Sequence, residues 1–203
     1  MTEVIAVAVI TVLAVISPGA DFAMTVRNSY LYGRLTGLLA ATGVAAGVLV
    51  HVTYTMLGVG LLIAANTALF TAIKLAGAAY LVYIGLRTFF ARADLTVDLK
   101  AGQGLSPWGA LRTGFLTNVL NPKTTLFVVS TFTQVVGPDT ALWQQAGYGL
   151  FMSFAHLAWF GLVALFFSHE RLRTAMLRAQ KVLNRVIGGT LVGLGVGLGV
   201  SSA

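Results

Sequence analysis

Long apolar stretches, separated by short polar segments, dominate the chain. A helix that crosses a bilayer needs about 20 mostly apolar residues, and the pattern predicts six such helices. No charged residue occurs between Leu35 and Ile73. That run is too long for one crossing, so we place a turn at Asn66-Thr67, where a short polar pair can cap the next helix. The predicted helices cover about 4–26, 37–63, 68–90, 110–136, 143–168 and 184–201.

The connections between these helices differ in composition. Residues 91–108 combine charged residues, two glycines and a proline, which predicts an exposed loop, with or without a short surface helix. Gly137-Pro138-Asp139 is expected to end the fourth helix, and residues 169–183 are expected to form a basic loop. A signal peptide would begin with a positive segment, but no Lys or Arg precedes Arg27. We therefore expect the first helix to be retained.

The basic residues predict the orientation in the membrane. Lys and Arg accumulate in cytoplasmic loops, and 11 of the 13 lie in or beside the connections after helices 1, 3 and 5. The N-terminus, the other two connections and the C-terminus have none. Both termini are therefore predicted on the periplasmic or extracellular side. The 11 residues are Arg27, Arg34, Arg87, Arg92, Lys100, Arg112, Arg171, Arg173, Arg178, Lys181 and Arg185.

Composition excludes several classes of protein. Hydrophobic residues make up 57% of the chain and charged residues 9%, with a mean hydropathy of +0.86, whereas soluble domains carry about 25% charged residues. These values predict an all-α polytopic membrane protein. The chain has no cysteine, which excludes disulfides, thiolate metal sites and thiol redox chemistry. The net charge is +7, but the basic residues are not interleaved with aromatic ones, so a nucleic-acid partner has little support.

Two of the predicted helices contain a proline break. Pro18 interrupts helix 1 and Pro122 interrupts helix 4, and the two prolines are 104 residues apart, about half the chain. Proline frees backbone groups, which within a membrane are tolerated only against protein or a water-filled cavity. Helices 1 and 4 begin two three-helix halves, about 1–90 and 109–203. Since three is odd, the second half runs inverted, as in inverted-repeat transporters. The paired breaks can be interpreted as a substrate site between the halves or as two ordinary proline kinks.

Asp21 and Lys123 are ionisable residues beside these breaks. A charge at membrane depth costs a few kcal/mol unless it is paired or hydrated. The two residues either pair with each other or bind the ammonium and carboxylate of a zwitterionic substrate. Asp21 could also carry a coupling proton, or lie at headgroup level. The alternative is a structural ion pair that only locks helix 1 to helix 4. The residues predicted to bind substrate or ion, or to shape the breaks, are Ser17, Pro18, Gly19, Asp21, Asn28, Asn118, Asn121, Pro122 and Lys123.

Other polar residues within the helices have plainer interpretations. Lys74 can extend to the membrane surface if it lies near a helix end. His51 and His156 have no acidic neighbours in sequence, so each is expected to be a hydrogen-bonded packing residue, and no metal site is predicted. His51 together with Tyr54 is an alternative candidate for lining a polar cavity. The three asparagines either cap freed backbone groups or bind substrate.

Glycines recur at helical spacing in two helices. Gly43 and Gly47 are four residues apart in helix 2, and Gly189, Gly193 and Gly197 form one ridge in helix 6. Small residues at this spacing allow close helix contact. The contact is either within the bundle or across a homodimer interface.

Two segments resemble the LysE/RhtB family of amino-acid exporters, also described as LysE family translocators. The first contains Ser17-Pro18-Gly19-Ala20-Asp21-Phe22, Arg27-Asn28-Ser29, Tyr32-Gly33-Arg34, Gly37-Leu38, Gly43 and Gly47. Gly114-Phe115-Leu116-Thr117-Asn118, followed by Asn121-Pro122-Lys123, is similar to the family's second signature. The resemblance covers essentially the whole chain, although Ala20 stands where many members have a second proline. It implies a bacterial inner-membrane exporter of amino acids or related metabolites, driven by an ion gradient.

We therefore predict a secondary transporter whose partners are a small-molecule substrate, a coupling ion (proton or sodium) and membrane lipid. No cofactor is predicted. No nucleophile–base set or phosphate-binding loop is apparent, which argues against an enzyme and against direct use of ATP. The alternatives are a channel-like pore or ion carrier without amino-acid specificity, and a non-transporting membrane scaffold.

Overall fold

Helices make up all the regular structure in the computed structural model, which describes residues 2–65, 67–90, 105–136 and 140–201. Seven helices and no strand occur in these ranges, in agreement with the predicted all-α class. They are α1 (Thr2–Ile16), α2 (Ala20–Ala65), α3 (Thr67–Phe89), α4 (Pro107–Val119), α5 (Pro122–Gln134), α6 (Leu142–Phe167) and α7 (Glu170–Ser201). The predictions for 91–104, Asn66 and Gly137-Pro138-Asp139 lie outside the described residues.

Both predicted helix breaks are present. The first break, residues 17–19, separates α1 from α2, and the second break, residues 120–121, separates α4 from α5. Pro122 occupies the first turn of α5, where its missing N–H removes no helical hydrogen bond. The predicted helices 1 and 4 are therefore each two helical segments joined by a short unwound stretch.

The predicted connection between helices 1 and 2 is present, but it is much shorter than predicted. Within Ala20–Ala65 the backbone is helical on both sides of Gly33, and Gly33 itself is non-helical, with φ 84° and ψ 173°. Glycine adopts positive φ without the steric clash that a Cβ causes. A single residue therefore turns the chain where the basic residues had indicated a loop.

The predicted basic loop at 169–183 is wrong, because α7 already begins at Glu170. Neither proline nor glycine occurs between Glu170 and Ile187, and Leu, Ala, Arg, Lys and Gln are all good helix formers. The positive charge of this segment marks a polar helical extension rather than a loop.

In the part of the chain that the structure describes, two helical stretches are long and apolar enough to cross a membrane, Ala20–Gly58 within α2 and α6 itself. Three shorter apolar helices accompany them, Glu3–Ile16, Leu75–Phe89 and Asn184–Val200. Large apolar side chains such as Leu57, Leu150 and Phe154 lie on the outside, and such a surface fits lipid better than water. The number of crossings stays a prediction.

Close backbone contacts join the helices. α2 packs against α4 and α6, and α3 packs against α5 and α7. A Cβ at Gly43 would collide with the α4 backbone at Leu111, and one at Gly114 would collide with the α2 backbone at Ala40. Gly43 and Gly47 thus serve packing within the bundle. By contrast, Gly189, Gly193 and Gly197 are exposed on α7.

Two clusters of buried side chains form the core. One joins α1, α2, α5 and α6 through residues such as Ile10, Val48 and Phe132. The other lies between α2 and α6, where the rings of Phe22 and Phe167 meet edge to face with centroids 5.8 Å apart. Asp21 precedes Phe22 in sequence, and the core therefore surrounds the region where the two breaks meet.

Candidate functional site

Asp21 lies in the first turn of α2, directly after the first break, and is only 5% exposed. Its Oδ2 atom accepts hydrogen bonds from Nδ2 of Asn118 at 2.9 Å and from Nδ2 of Asn121 at 3.0 Å. The Thr124 hydroxyl donates to the same oxygen at 3.5 Å. All three donors lie in or beside the second break, so one carboxylate connects the two breaks.

The other carboxylate oxygen of Asp21 has no such support. Oδ1 is buried and has no hydrogen-bond partner among the residues that the structure describes. Leaving a buried acceptor unpaired costs about 1–3 kcal/mol, and more for a charged group. The carboxylate is therefore fixed through Oδ2, and Oδ1 can accept a hydrogen bond from an additional donor.

Lys123 reaches in the opposite direction, from the second break to the first. It occupies the first turn of α5, where its backbone N–H donates to Oδ1 of Asn121 at 3.0 Å. Its ammonium Nζ donates to the backbone carbonyl of Ser17 at 2.5 Å. The aliphatic stem passes so close to Gly19 that a Cβ there would lie 3.2 Å from Lys123 Cδ.

A small cavity of about 20 Å³ lies between the breaks. It has room for about one water molecule. Asp21 and Lys123 both line it, although no carboxylate–ammonium contact within 4.0 Å joins them in the described part of the chain. The lining residues are Ala14, Val15, Ser17, Gly19, Asp21, Phe22, Asn121, Lys123, Thr124, Phe127, His156 and Phe160.

The first break is anchored by other helices. The Ser17 hydroxyl and the Thr88 hydroxyl are 2.7 Å apart and buried, which joins the break to the C-terminal end of α3. The Ser17 carbonyl is bound by Lys123. Pro18 and Gly19 therefore shape a stretch whose polar groups depend on α3 and α5.

The second break is capped mainly by its own residues. The Asn121 N–H donates to the Asn118 carbonyl at 2.8 Å, and the Asn121 side chain caps α5. Asn121 therefore combines the two roles that the sequence left open, since its Oδ1 caps a helix and its Nδ2 binds Asp21. Gly47 makes room for Asn118, because a Cβ at position 47 would lie 2.7 Å from Asn118 Oδ1.

The third asparagine and the two side chains predicted as possible cavity lining lie elsewhere. Asn28 is buried two helical turns beyond Asp21, and its Nδ2 donates to Sδ of Met24 at 3.3 Å. His51 is buried behind the second break, with Nε2 2.9 Å from the Asn118 carbonyl and Nδ1 2.6 Å from the Tyr54 hydroxyl. Tyr54 is 42% exposed on the outer face of α2. None of the three lines the cavity beside Asp21.

Two polar cavity residues, Thr124 and His156, were not predicted from sequence. Thr124 directly follows Lys123, but its hydroxyl is one of several in α5, so the sequence did not single it out. His156 has the expected packing hydrogen bond, Nδ1 to the Met152 carbonyl at 2.7 Å, but it also lines the cavity. The side chain of Lys74 lies outside the described residues.

Comparison with known proteins supplies the family. A family model described as LysE type translocator matches residues 12–202. The uncharacterized membrane protein YrhP of Bacillus subtilis is 31% identical over 99% of this chain and all of its own length. A threonine efflux protein of Salmonella typhi is 27% identical over 96% of both chains. A leucine efflux protein of Salmonella choleraesuis is 30% identical over 90% of this chain and 85% of its own length.

No solved structure matches the chain at a significant level. The sequence match nevertheless extends across both helix breaks, and it includes Asp21, Asn118 and Lys123 within the matched range. On this match the chain belongs to the LysE type translocator family of membrane transporters.

Proposed function

We propose that this chain is a secondary transporter that exports amino acids or close derivatives across the bacterial inner membrane, driven by an ion gradient. The family match and the relatives named as threonine and leucine efflux proteins support the substrate class. The observation that carries the proposal is buried Asp21, which lines a cavity between two helix breaks and whose Oδ1 has no hydrogen-bond partner among the described residues.

Asp21 has the chemistry to bind a cation. Its Oδ2 is held by two amides, which fixes the direction of the carboxylate, and charge-assisted hydrogen bonds to carboxylates are about twice as strong as neutral ones. In our proposal Oδ1 receives the substrate ammonium or the coupling proton. The two asparagines that orient it are positioning residues.

Lys123 supplies the matching positive charge. It lines the same cavity from the opposite break, so a zwitterionic substrate between the breaks would meet a carboxylate and an ammonium. Lys123 then binds the substrate carboxylate or acts as the counter-charge of Asp21. Pro18, Gly19 and Pro122 maintain the unwound backbone that creates the site.

Packing supports two inverted three-helix repeats with six crossings, about 1–90 and 109–203, joined by a cytoplasmic loop at about 91–108. In this arrangement α2 corresponds to α6 and α3 to α7, and these are helices that pack together. Alternating access would come from movement of one half against the other, with the breaks at the shared interface.

Contacts at the ends of the helices support the orientation. Glu3 accepts hydrogen bonds from the Thr140 hydroxyl at 3.1 Å and from the Tyr148 hydroxyl at 3.2 Å. The N-terminal end of α1 therefore lies beside the start of α6, as expected if both are outside the cell.

Because the chain has no cysteine, single variants Ala141→Cys and Lys181→Cys test the predicted orientation in the membrane. An impermeant maleimide added to intact cells should label the first and not the second, and the reverse would refute the orientation.

Reconstitution tests the function itself. Purified protein in liposomes should catalyse counterflow of labelled threonine, leucine or another member of an amino-acid panel, and an imposed proton or sodium gradient should drive net accumulation. Ion conductance without gradient-coupled amino-acid flux would instead identify a pore. No flux of any tested solute, from protein that remains monodisperse, would favour the scaffold.

A further inference from the structure

Lys123 physically connects the two breaks. It is anchored at the start of α5 by the cap on its backbone N–H, and its ammonium rests on the carbonyl of Ser17 in the first break. Asp21, whose Oδ1 has no hydrogen-bond partner among the described residues, lines the same cavity. The ammonium of Lys123, which belongs to the second predicted half, is therefore bound to a carbonyl of the first half, beside the cavity that Asp21 lines.

We propose that Lys123 is a tethered cation that replaces the substrate ammonium when no substrate is bound, and that this replacement lets the empty transporter change its access state. The inference rests on the proposed function and assigns one step of the transport cycle to one side chain.

The size of the cavity supports the replacement. About 20 Å³ holds roughly one water and no amino acid, so a substrate must displace the Lys123 stem from Gly19 and Ser17 before it enters. The substrate ammonium then finds two acceptors prepared for it, the Ser17 carbonyl and Asp21 Oδ1. Lys123 and the substrate ammonium therefore compete for one place.

Charge explains why the replacement matters. A carboxylate within the membrane is costly unless a cation is nearby, and the substrate ammonium provides that cation in the loaded state. After substrate release Lys123 restores it. Without Lys123, a form that holds neither substrate nor coupling ion retains an uncompensated Asp21 and is expected to be trapped, while the substrate-loaded form still moves.

This reasoning separates two kinds of transport. When no ion gradient is imposed, net efflux requires the substrate-free transporter to return, whereas exchange of internal for external substrate uses only substrate-loaded forms. Loss of Lys123 should therefore lower net efflux much more than it lowers exchange at saturating substrate. Damage to folding or to general binding would lower both.

The test uses Lys123→Cys in the cysteine-free chain, reconstituted in liposomes with labelled amino acid. We expect net efflux, measured without an imposed ion gradient, to fall at least tenfold more than saturating exchange. Reaction with 2-bromoethylamine rebuilds a side chain of lysine length with an ammonium and should restore net efflux. Reaction with iodoacetamide, which leaves the side chain neutral, should not.

Controls make each outcome decisive. Lys181→Gln removes an exposed lysine of α7 and should leave both rates unchanged. If the cysteine variant does not fold, Lys123→Arg and Lys123→Gln replace it, and only the arginine variant should keep the unmodified ratio of net efflux to exchange. A parallel loss of both rates in folded protein, unchanged net efflux, or rescue by the neutral adduct would overturn the inference. Absence of amino-acid exchange in the unmodified protein would instead refute the proposed function.

Discussion

The two helix breaks occupy corresponding places in the two predicted halves, yet their polar groups are satisfied differently. In the second break, the Asn121 amide and side chain close the gap between α4 and α5. In the first break, the Ser17 hydroxyl bonds to Thr88 of α3 and the Ser17 carbonyl to Lys123 of α5. One break is therefore largely self-contained, while the other depends on its neighbours.

The charges follow the same asymmetry. Asp21 directly follows the first break but is oriented by two asparagines at the second break. Lys123 follows the second break, but its ammonium is bound at the first. The similar backbone of the two predicted halves places two breaks next to each other. Their side chains differ, so the site has a carboxylate and an ammonium, the two charges that a zwitterionic substrate can bind.

The largest expected effect comes from removing the charge of the first break. Asp21→Asn keeps an acceptor for the amides of Asn118 and Asn121 but presents an amide N–H₂ to the cavity. A charge-assisted bond is worth up to about 3 kcal/mol, so gradient-coupled efflux in proteoliposomes should fall about 100-fold. Glu3→Gln, which changes an acidic residue away from the cavity, is the control and should transport normally. Unimpaired efflux in Asp21→Asn would remove Asp21 from the mechanism.

A smaller effect is expected when the connection between the breaks is cut. Asn118→Leu deletes donors to Asp21 and Thr124, so the free energy of unfolding in mixed micelles should fall by about 2 kcal/mol. Asn28→Leu is a matched change at another buried asparagine, whose hydrogen bond goes to a weakly accepting sulfur. It should destabilise much less. Equal losses in the two variants would mean that burial alone, and not the contact with Asp21, decides the cost.

Asn121 allows its two roles in the second break to be separated. Asn121→Ala removes the cap of α5 and a donor to Asp21, and the cap alone is worth about 1 kcal/mol. Asn121→Asp retains a good cap but places a second carboxylate beside the first. We expect the alanine variant to be the less stable in thermal unfolding and the aspartate variant to transport less. If stability and transport change in the same order, the two roles are not separable.

The smallest effect is expected at Gly19. In Gly19→Ala the new methyl group lies 3.2 Å from Lys123 Cδ, so the flexible lysine stem must shift by a few tenths of an ångström. Net efflux should fall only a few fold, with a change in stability within about 0.5 kcal/mol. Gly58→Ala meets nothing within 4 Å and is the matched control. A Gly19→Ala protein with normal efflux would show that the path of Lys123 past this residue is not critical.

Local sequence signals were sufficient to predict the two helix breaks, but not to predict the length of the connections between the helices. Proline lacks an N–H wherever it occurs, so Pro18 and Pro122 indicate interruptions without knowledge of the fold. The short length of the connection at Gly33 and the early start of α7 at Glu170 were missed, because charge was interpreted as a sign of an extended loop although basic residues are also good helix formers.

Contacts between distant residues could not be predicted from either break alone. Thr124 and His156 join the cavity only because α5 and α6 pack against the first break. His51 was a candidate for the cavity but lies behind Asn118. Whether a polar side chain faces the cavity, a neighbouring carbonyl or the outer surface depends on helix rotation, and nearly continuous apolar sequence carries little information about rotation.

The amino-acid sequence alone determined that this chain belongs in lipid, that two of its helices are interrupted, and that an acidic and a basic residue stand beside the interruptions. These properties follow from composition and from the chemistry of single residues. Only the tertiary structure decided that the carboxylate of one break is held by the amides of the other and that Lys123 reaches back to Ser17. The physical reason is that hydrogen bonds between residues about 100 positions apart depend on how whole helices pack.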